Sequence, residues 1–151
     1  MSKLDDRTTI YLIDYEYGFW NPKFYDLGNY LNELICDNAH PKPPYIKYYF
    51  ENWPANDEIE YLTRQYVLLE KSDATDFVWS MDREQCEECF TAVHHTKQAM
   101  ILNNYYWAVW AVMMMAEEEE TDPEAYYWDF LEGRCEMHRR LMDQFGFASL
   151  F

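Results

Sequence analysis

Two acids stand where a short run of strand-forming residues ends. Residues 9–15 are rich in β-branched and aromatic side chains and predict a strand that leads into Asp14 and Glu16. Carboxylates suit Mg²⁺, a small hard ion that prefers oxygen ligands. Acids at strand ends are also common where no metal binds, so the pattern alone leaves a metal site and a solvated strand end both open.

Two aromatic pairs lie further along the chain, Trp107 with Trp110 and Tyr127 with Phe130. Each pair is spaced three positions apart in a segment of helical pattern, so its two rings share a helix face. Aromatic faces attract cations, and they suit a quaternary ammonium, which cannot donate a hydrogen bond. Aromatic residues at this spacing also commonly form a helix core. The spacing alone favours the core.

A third pattern, Cys86 and Cys89 with His94 and His95 close by, is similar to the spacing of zinc ligands. It falls within one predicted helix, and a second pair at a matching distance is missing from the sequence. A structural zinc site usually draws its ligands from two such pairs, so we do not favour zinc here.

The composition limits the classes of partner. The 151 residues suit one domain, residues 1–151, and carry a net charge of −16. That charge repels phosphate backbones and anionic membranes, which argues against nucleic-acid binding and membrane association. The apolar stretch 100–116 is short for a membrane span and contains Asn103 and Asn104, so it predicts a buried helix. We expect a cytoplasmic protein with reduced cysteines.

The elements that must position these residues are mostly helices. Hydrophobic spacing predicts a mainly α fold, with a short N-terminal strand or hairpin and then four or so helices in a bundle. A proline-rich surface excursion is expected at 38–56, and Gly146 should stop the last helix. The predicted helices cover residues 24–37, 57–71, 82–116 and 123–145.

Residues 13–33 carry a longer pattern, which reads Ile-Asp-Tyr-Glu-Tyr, a spacer with Asn21, then Asp-Leu-Gly-Asn and a Glu four residues later. It resembles the signature of the choline/ethanolamine kinase family. Residues 106–110 (Tyr-Trp-Ala-Val-Trp) and 127–134 are similar to two later blocks of the same family, in the same order. The resemblance implies a protein-kinase-like fold, of which this chain is the helical C-terminal lobe.

The resemblance also implies roles for individual residues. Asp14 would hold Mg²⁺ on the phosphates of ATP, with Glu16 helping directly or through water. Asp26 and Asn29 would support the site from behind. The amine of choline or ethanolamine would lie in a cage made by Tyr17, Glu33, Trp107, Trp110, Tyr127 and Phe130. Glu33 could also be a solvated residue at the edge of its helix, and Leu34 and Asn38 depart from the aromatic residues common in the family there.

Other parts of the family pattern are missing from these residues. None of His40, His94, His95 and His138 is followed two positions later by Asp, so the H-x-D-x-x-x-x-N motif that supplies the catalytic base is absent from this sequence, as is a G-x-G loop. We therefore expect the chain to supply the metal-ligand Asp14 and the amine pocket but no catalytic residue. ATP should bind only if the missing N-terminal part is supplied, and the isolated chain should be inactive.

Three alternatives stay open. The chain could be a fragment of an active kinase, or a truncated binding module that pairs with an N-lobe or forms a homodimer through an exposed apolar surface. It could also be a relative of the aminoglycoside phosphotransferases, although the paired aromatic helices argue against this. The choice between choline and ethanolamine is also open, and a full aromatic cage leans toward choline.

Overall fold

The computed structural model describes residues 18, 20–71, 87–117 and 124–147. Within these ranges the chain is mainly helical, as predicted, and the predicted strand at residues 9–15 lies outside them. The elements are α1 (Tyr25–Glu33), β1 (Cys36–Asp37), β2 (Lys47–Tyr48), a 3₁₀ turn (Phe50–Asn52), α2 (Asn56–Lys71), α3 (Glu87–Glu117) and α4 (Glu124–Gln144).

The three longer helices lie close to their predicted bounds. The end of α4 follows the helix-stop signal in the sequence, because Gly146 adopts a φ of 74° and the Phe147 amide donates to the Met142 carbonyl at 2.9 Å. A left-handed residue just past the last turn satisfies carbonyls that the helix leaves without partners. None of the described helices combines the length and the apolar character needed to cross a membrane.

The helix predicted at 24–37 is wrong at its end, because α1 stops at Glu33. Beyond it, β1 pairs antiparallel with β2, and the Tyr49 amide donates to the Ile35 carbonyl at 2.8 Å. Residues 35–37 therefore satisfy their backbone groups across a hairpin instead of along a helix. Within the described ranges, the hairpin follows the first helix rather than preceding it.

Helix α3 is the central element and packs against α1, α2 and α4. It approaches α1 most closely at Gly28, where an added Cβ would lie 2.8 Å from the Met100 nitrogen. Glycine is needed there because two backbones pass too closely for a side chain between them. Between α2 and α3, the buried hydroxyls of Thr63 and Thr96 share a hydrogen bond of 3.2 Å.

The apolar core lies on the inner side of α3. One cluster joins three helices and the end of α4 through Leu31, Ile59, Met100 and Leu141, each no more than 2% exposed. Each such side chain contributes about 1.5–3 kcal/mol through its burial. The stretch 100–116 is helical, as predicted, but it is buried only in part, since Met100 and Ala111 are buried while Leu102 and Tyr105 are more than half exposed. Neighbouring helices cover only one side of this largely apolar stretch.

Candidate functional site

Four aromatic side chains meet where the C-terminal half of α3 packs against the start of α4. We call Trp107, Trp110, Tyr127 and Phe130 the aromatic cluster. Trp110 lies at its centre, with its ring centroid 5.5 Å from Trp107, 5.6 Å from Phe130 and 5.7 Å from Tyr127. The interplanar angles of 63–83° are edge-to-face, the arrangement that aromatic quadrupoles favour.

The four rings differ in exposure. Phe130 is 4% exposed and packs with Ile46 and Ala111, so it forms the floor of the aromatic cluster. Trp107, Trp110 and Tyr127 are half-buried, so each residue keeps some exposed surface. The arrangement therefore combines a packed floor with three partly exposed aromatic residues. A cluster that served only as core would not require this exposure.

A buried cation lies directly beside these rings. The Arg134 guanidinium is centred 4.7 Å from the Phe130 ring and 5.9 Å from the Trp107 ring, within the range of cation–π attraction. Arg134 is 1% exposed and pairs with the Glu33 carboxylate at the end of α1. The protein thus places a cation of its own on two of the rings that the sequence assigns to the amine.

Both oxygens of Glu33 have partners. Oε1 accepts from the Arg134 guanidinium, and Oε2 accepts from Nδ2 of Asn38 at 3.1 Å. Burial disfavours the charge on Arg134, but the charge and hydrogen bond of Glu33 outweigh it and raise the pKa of the guanidinium above its usual value. Glu33 therefore acts first as the counter-ion of Arg134, not as an isolated negative charge.

A chain of buried amides holds the aromatic cluster against α1. Nδ2 of Asn103 donates to Oδ1 of Asn29 at 2.9 Å, and the indole nitrogen of Trp107 donates to the same oxygen at 3.1 Å. Asn32 donates to Oδ1 of Asn103 and to the Met100 carbonyl. Asn29 thus accepts hydrogen bonds from both Asn103 and the indole of Trp107.

The remaining predicted residues are placed differently. Asp26 is exposed in the first turn of α1, where its carboxylate faces the positive end of the helix dipole. Asp14, Glu16 and Tyr17 lie outside the described residues. The described part of the site thus joins Glu33 to the aromatic cluster through Arg134.

No group of three His, Cys, Asp or Glu side chains that could hold a metal ion occurs in the described ranges. Cys89 is 2% exposed and packs in the core with Phe24, Val67 and Ala92. His94 and His95 are exposed on the same helix, and Cys86 lies outside the described residues. A buried core thiol beside two exposed imidazoles gives no further support to a zinc site.

Sequence patterns gave no role to Arg134 or Asn103, which the structure places beside the aromatic cluster. The spacing could have indicated the contact of Arg134, because it stands four positions after Phe130 and so shares a helix face with that ring. In the sequence, Asn103 and Asn104 are only polar interruptions of an apolar stretch. Asn104 in fact accepts a long hydrogen bond of 3.4 Å from the Arg134 guanidinium.

Comparisons with known proteins give the family of the chain. The family model for choline/ethanolamine kinase matches residues 1–138, most of the chain. The chain belongs to the choline/ethanolamine kinase family. The match covers α1, α2, α3 and most of α4, and therefore includes the whole aromatic cluster and the ion pair of Glu33 with Arg134.

Individual relatives are distant. The human protein named choline/ethanolamine kinase is 21% identical over 91% of this chain and 33% of its own length. A probable ethanolamine kinase of Arabidopsis thaliana is 27% identical over 72% of the chain and 24% of its own length, and choline kinase alpha of Mus musculus is 22% identical over 88% and 28%. The chain thus spans about a third or less of the length of these curated relatives.

Proposed function

We propose that this chain provides the amine-binding part of a choline or ethanolamine kinase, and that it binds choline through its aromatic cluster. The observation that carries the proposal is the convergence of four aromatic rings from α3 and α4. The chain belongs to the choline/ethanolamine kinase family, which makes an amine the expected ligand of these rings. In the intact enzyme the γ-phosphoryl group of ATP would be transferred to the hydroxyl of the amino alcohol.

Cation recognition by aromatic faces suits this arrangement. Each desolvated cation–π contact contributes up to ~2 kcal/mol, and a quaternary ammonium can make several of them at once. The Arg134 guanidinium lies over Phe130 and Trp107, so we assign the amine to the outward faces of Trp110 and Tyr127. Phe130 then serves as the floor, and Trp107 as the wall beside it.

The engagement of Glu33 favours choline over ethanolamine. A primary ammonium has three N–H donors, which need acceptors once water is removed. Both oxygens of Glu33 already accept hydrogen bonds from Arg134 and Asn38. A trimethylammonium group has no donor to satisfy, so it loses nothing when that carboxylate is occupied.

The phosphate side of the reaction needs groups beyond the aromatic cluster. We propose Asp14, with Glu16, as ligands of Mg²⁺, because carboxylate oxygens are the ligands this ion prefers. A metal held by these residues would supply positive charge that offsets the charge of the ATP phosphates during transfer. The sequence lacks the H-x-D-x-x-x-x-N motif, so we expect amine binding without phosphoryl transfer from the chain alone.

Tryptophan fluorescence tests the binding step directly. Choline should change the emission saturably, and replacing Trp110 by Leu should abolish the change. Trp128→Leu is the matched control, because Trp128 is exposed on α4 and points away from Phe130. The proposal is wrong if choline at millimolar concentration leaves the emission of the folded wild-type chain unchanged, or if both variants lose the response equally.

A second function, a binding module without catalysis, is favoured by one observation. The outer side of α3 exposes Leu102, Tyr105, Val109, Val112 and Met113. An apolar surface of this kind is what a pairing module requires. A complementation assay separates the two functions: transfer of ³²P from ATP to choline, with Mg²⁺, when the N-terminal part of a choline kinase is added to the chain would exclude the purely binding role.

A further inference from the structure

One residue of the hairpin reaches α4 at the turn that carries the floor of the aromatic cluster. Tyr48 ends β2, and its phenolic hydroxyl donates a hydrogen bond of 3.2 Å to the Phe130 carbonyl. Inside α4 the helical partner of this carbonyl is the amide of Arg134, four residues further on. A carbonyl oxygen has two lone pairs, so it can accept from both groups. Tyr48 therefore bonds the helical turn that runs from Phe130 to Arg134.

The fit between Tyr48 and α4 depends on a glycine. The Tyr48 ring lies so close to Gly133 that an added Cβ would overlap it. Glycine weakens a helix interior relative to alanine, so its place midway along α4 has a packing reason. The same ring stacks on Phe50, with centroids 5.9 Å apart and an interplanar angle of 22°. Both α4 and the 3₁₀ turn thus hold the ring in place.

The Tyr48 hydroxyl remains a donor at neutral and mildly alkaline pH. Burial raises the pKa of this phenol well above its ordinary value, because a phenolate would lose its hydration there. The positive charge of Arg134 acts in the opposite direction but does not reverse this effect. A protonated hydroxyl can donate to the Phe130 carbonyl, whereas a phenolate could not.

The same hairpin also contacts the counter-ion of Arg134. Asn38, the residue after β1, donates from Nδ2 to Oε2 of Glu33 at 3.1 Å. The hairpin thus holds the acid of the ion pair through Asn38, and the turn that carries the cation through Tyr48. Its position therefore affects how firmly the guanidinium is held beside Glu33 and over the Phe130 ring.

We propose that Tyr48 is a positioning residue for amine recognition, which fixes the turn of α4 so that Arg134 stays paired with Glu33. The inference rests on the proposed amine site at Trp110 and Tyr127. A cation bound there has the guanidinium as a like-charged neighbour, and such repulsion is stronger in a partly desolvated site than in water. Pairing with Glu33 offsets the charge of the guanidinium. A loosened turn weakens this pairing and disfavours the amine.

The predicted effect is specific for charge. Choline and its neutral isostere 3,3-dimethyl-1-butanol have the same shape, so a general loosening of the rings weakens both, whereas a poorly neutralised Arg134 weakens only choline. Tyr48→Phe keeps the ring against Gly133 and removes only the hydroxyl. We expect the ratio of choline affinity to isostere affinity to fall at least about threefold, within the range that one hydrogen bond contributes.

Isothermal titration calorimetry with both ligands measures this ratio for the wild type, Tyr48→Phe and Tyr49→Phe. Tyr49 is the matched control, because it loses the same hydroxyl from the next residue and its ring carries the Lys47 ammonium, 4.6 Å from the centroid. Far-ultraviolet circular dichroism checks that both variants keep their helices. The proposal is overturned if Tyr48→Phe keeps the wild-type ratio, even with weaker binding of both ligands, or if Tyr49→Phe lowers the ratio equally.

A second measurement needs no amine. The side-chain Nε–H resonance of Arg134, assigned by its loss in Arg134→Met, reports the position of the guanidinium through the ring currents of Phe130 and Trp107. The resonance should move in Tyr48→Phe and stay in place in Tyr49→Phe. If the wild type does not prefer choline to its isostere, the proposed function is wrong, and this resonance alone decides whether Tyr48 positions the guanidinium. An unmoved resonance in Tyr48→Phe refutes the positioning role whatever the amine does.

Discussion

Replacing Arg134 by methionine removes the buried cation that joins α1 to the aromatic cluster. The guanidinium pairs with Glu33, bonds Asn104 and lies 4.7 Å from the Phe130 ring. Methionine has a similar length and no polar atom to bury, so the change isolates the charge from the packing volume. We expect a folded but less stable protein.

The magnitude follows from the burial of the two partners. Breaking a buried pair by removing one partner costs about 3–5 kcal/mol, most of which reflects the charge left behind. Glu33 keeps 31% of its side chain exposed and retains Asn38, so its stranded carboxylate is partly solvated. Arg134→Met should therefore lower the free energy of unfolding by about 3 kcal/mol, the low end of that range.

Replacing the other partner of the ion pair, Glu33, should lower the free energy of unfolding further. Glu33→Met leaves the guanidinium, whose side chain is 2% exposed, without its counter-ion. We expect a loss near the upper end of the range, about 5 kcal/mol. The double variant, which buries two apolar side chains instead of an ion pair, should lose less than the two single variants together, because neither charge is stranded.

Urea unfolding followed by circular dichroism measures these values, with Arg139→Met as the matched control. Arg139 is 63% exposed in its pairs with Glu136 and Asp143, and such exposed pairs contribute little to stability because water and salt screen them. If Arg134→Met costs no more than Arg139→Met, or if the single changes simply add in the double variant, then the ion pair does not hold the site together.

Three further outcomes follow from the described geometry. Gly133→Ala should destabilise the protein by about 2 kcal/mol in thermal unfolding, because the added Cβ would overlap the Tyr48 ring, whereas Gln98→Ala on exposed helix surface should not. Hydrogen bonds from Arg139 and Arg140 lower the pKa of Glu136 to about 2, so its contribution to stability is full above the usual carboxyl pKa and is lost as the pH falls toward 2. The difference in unfolding free energy between wild type and Glu136→Gln should therefore close over that pH interval. A difference that stays constant would contradict the pairing. Burial raises the pKa of the Cys36 thiol to about 11, so iodoacetamide at neutral pH should label exposed Cys135 well before Cys36, as peptide mass spectrometry would show.

Local patterns predicted the long helices well and the hairpin poorly. Helix α4 carries its own stop at Gly146, and α2 has apolar residues at helical spacing, so both could be predicted from neighbouring residues. The exchange of α1 for β1 after Glu33 depends on pairing with residues 47–48, eleven positions away. Apolar spacing alone does not report such a partner, since Leu34 fits the helical face equally well.

The candidate site, too, could be predicted only in part from local sequence patterns. The rings of the aromatic cluster could be named from their spacing and from the family pattern, because each pair shares a helix face. Arg134 occupies the same face, yet its role depends on a contact with Glu33 across 101 positions. Likewise, the exposure of Leu102, Tyr105 and Met113 depends on which faces of α3 its neighbouring helices cover. The largely apolar second half of α3 does not encode that choice.

Calorimetric titration with choline and with its neutral isostere 3,3-dimethyl-1-butanol tests amine recognition by the aromatic cluster most directly. The two ligands share shape and hydroxyl and differ in the positive charge, so any difference in affinity reports cation recognition. Contacts with Trp110 and Tyr127 should favour choline by at least about 1.4 kcal/mol, a tenfold difference in Kd. Equal affinity for the two ligands, or binding of neither, would contradict an amine site in this lobe.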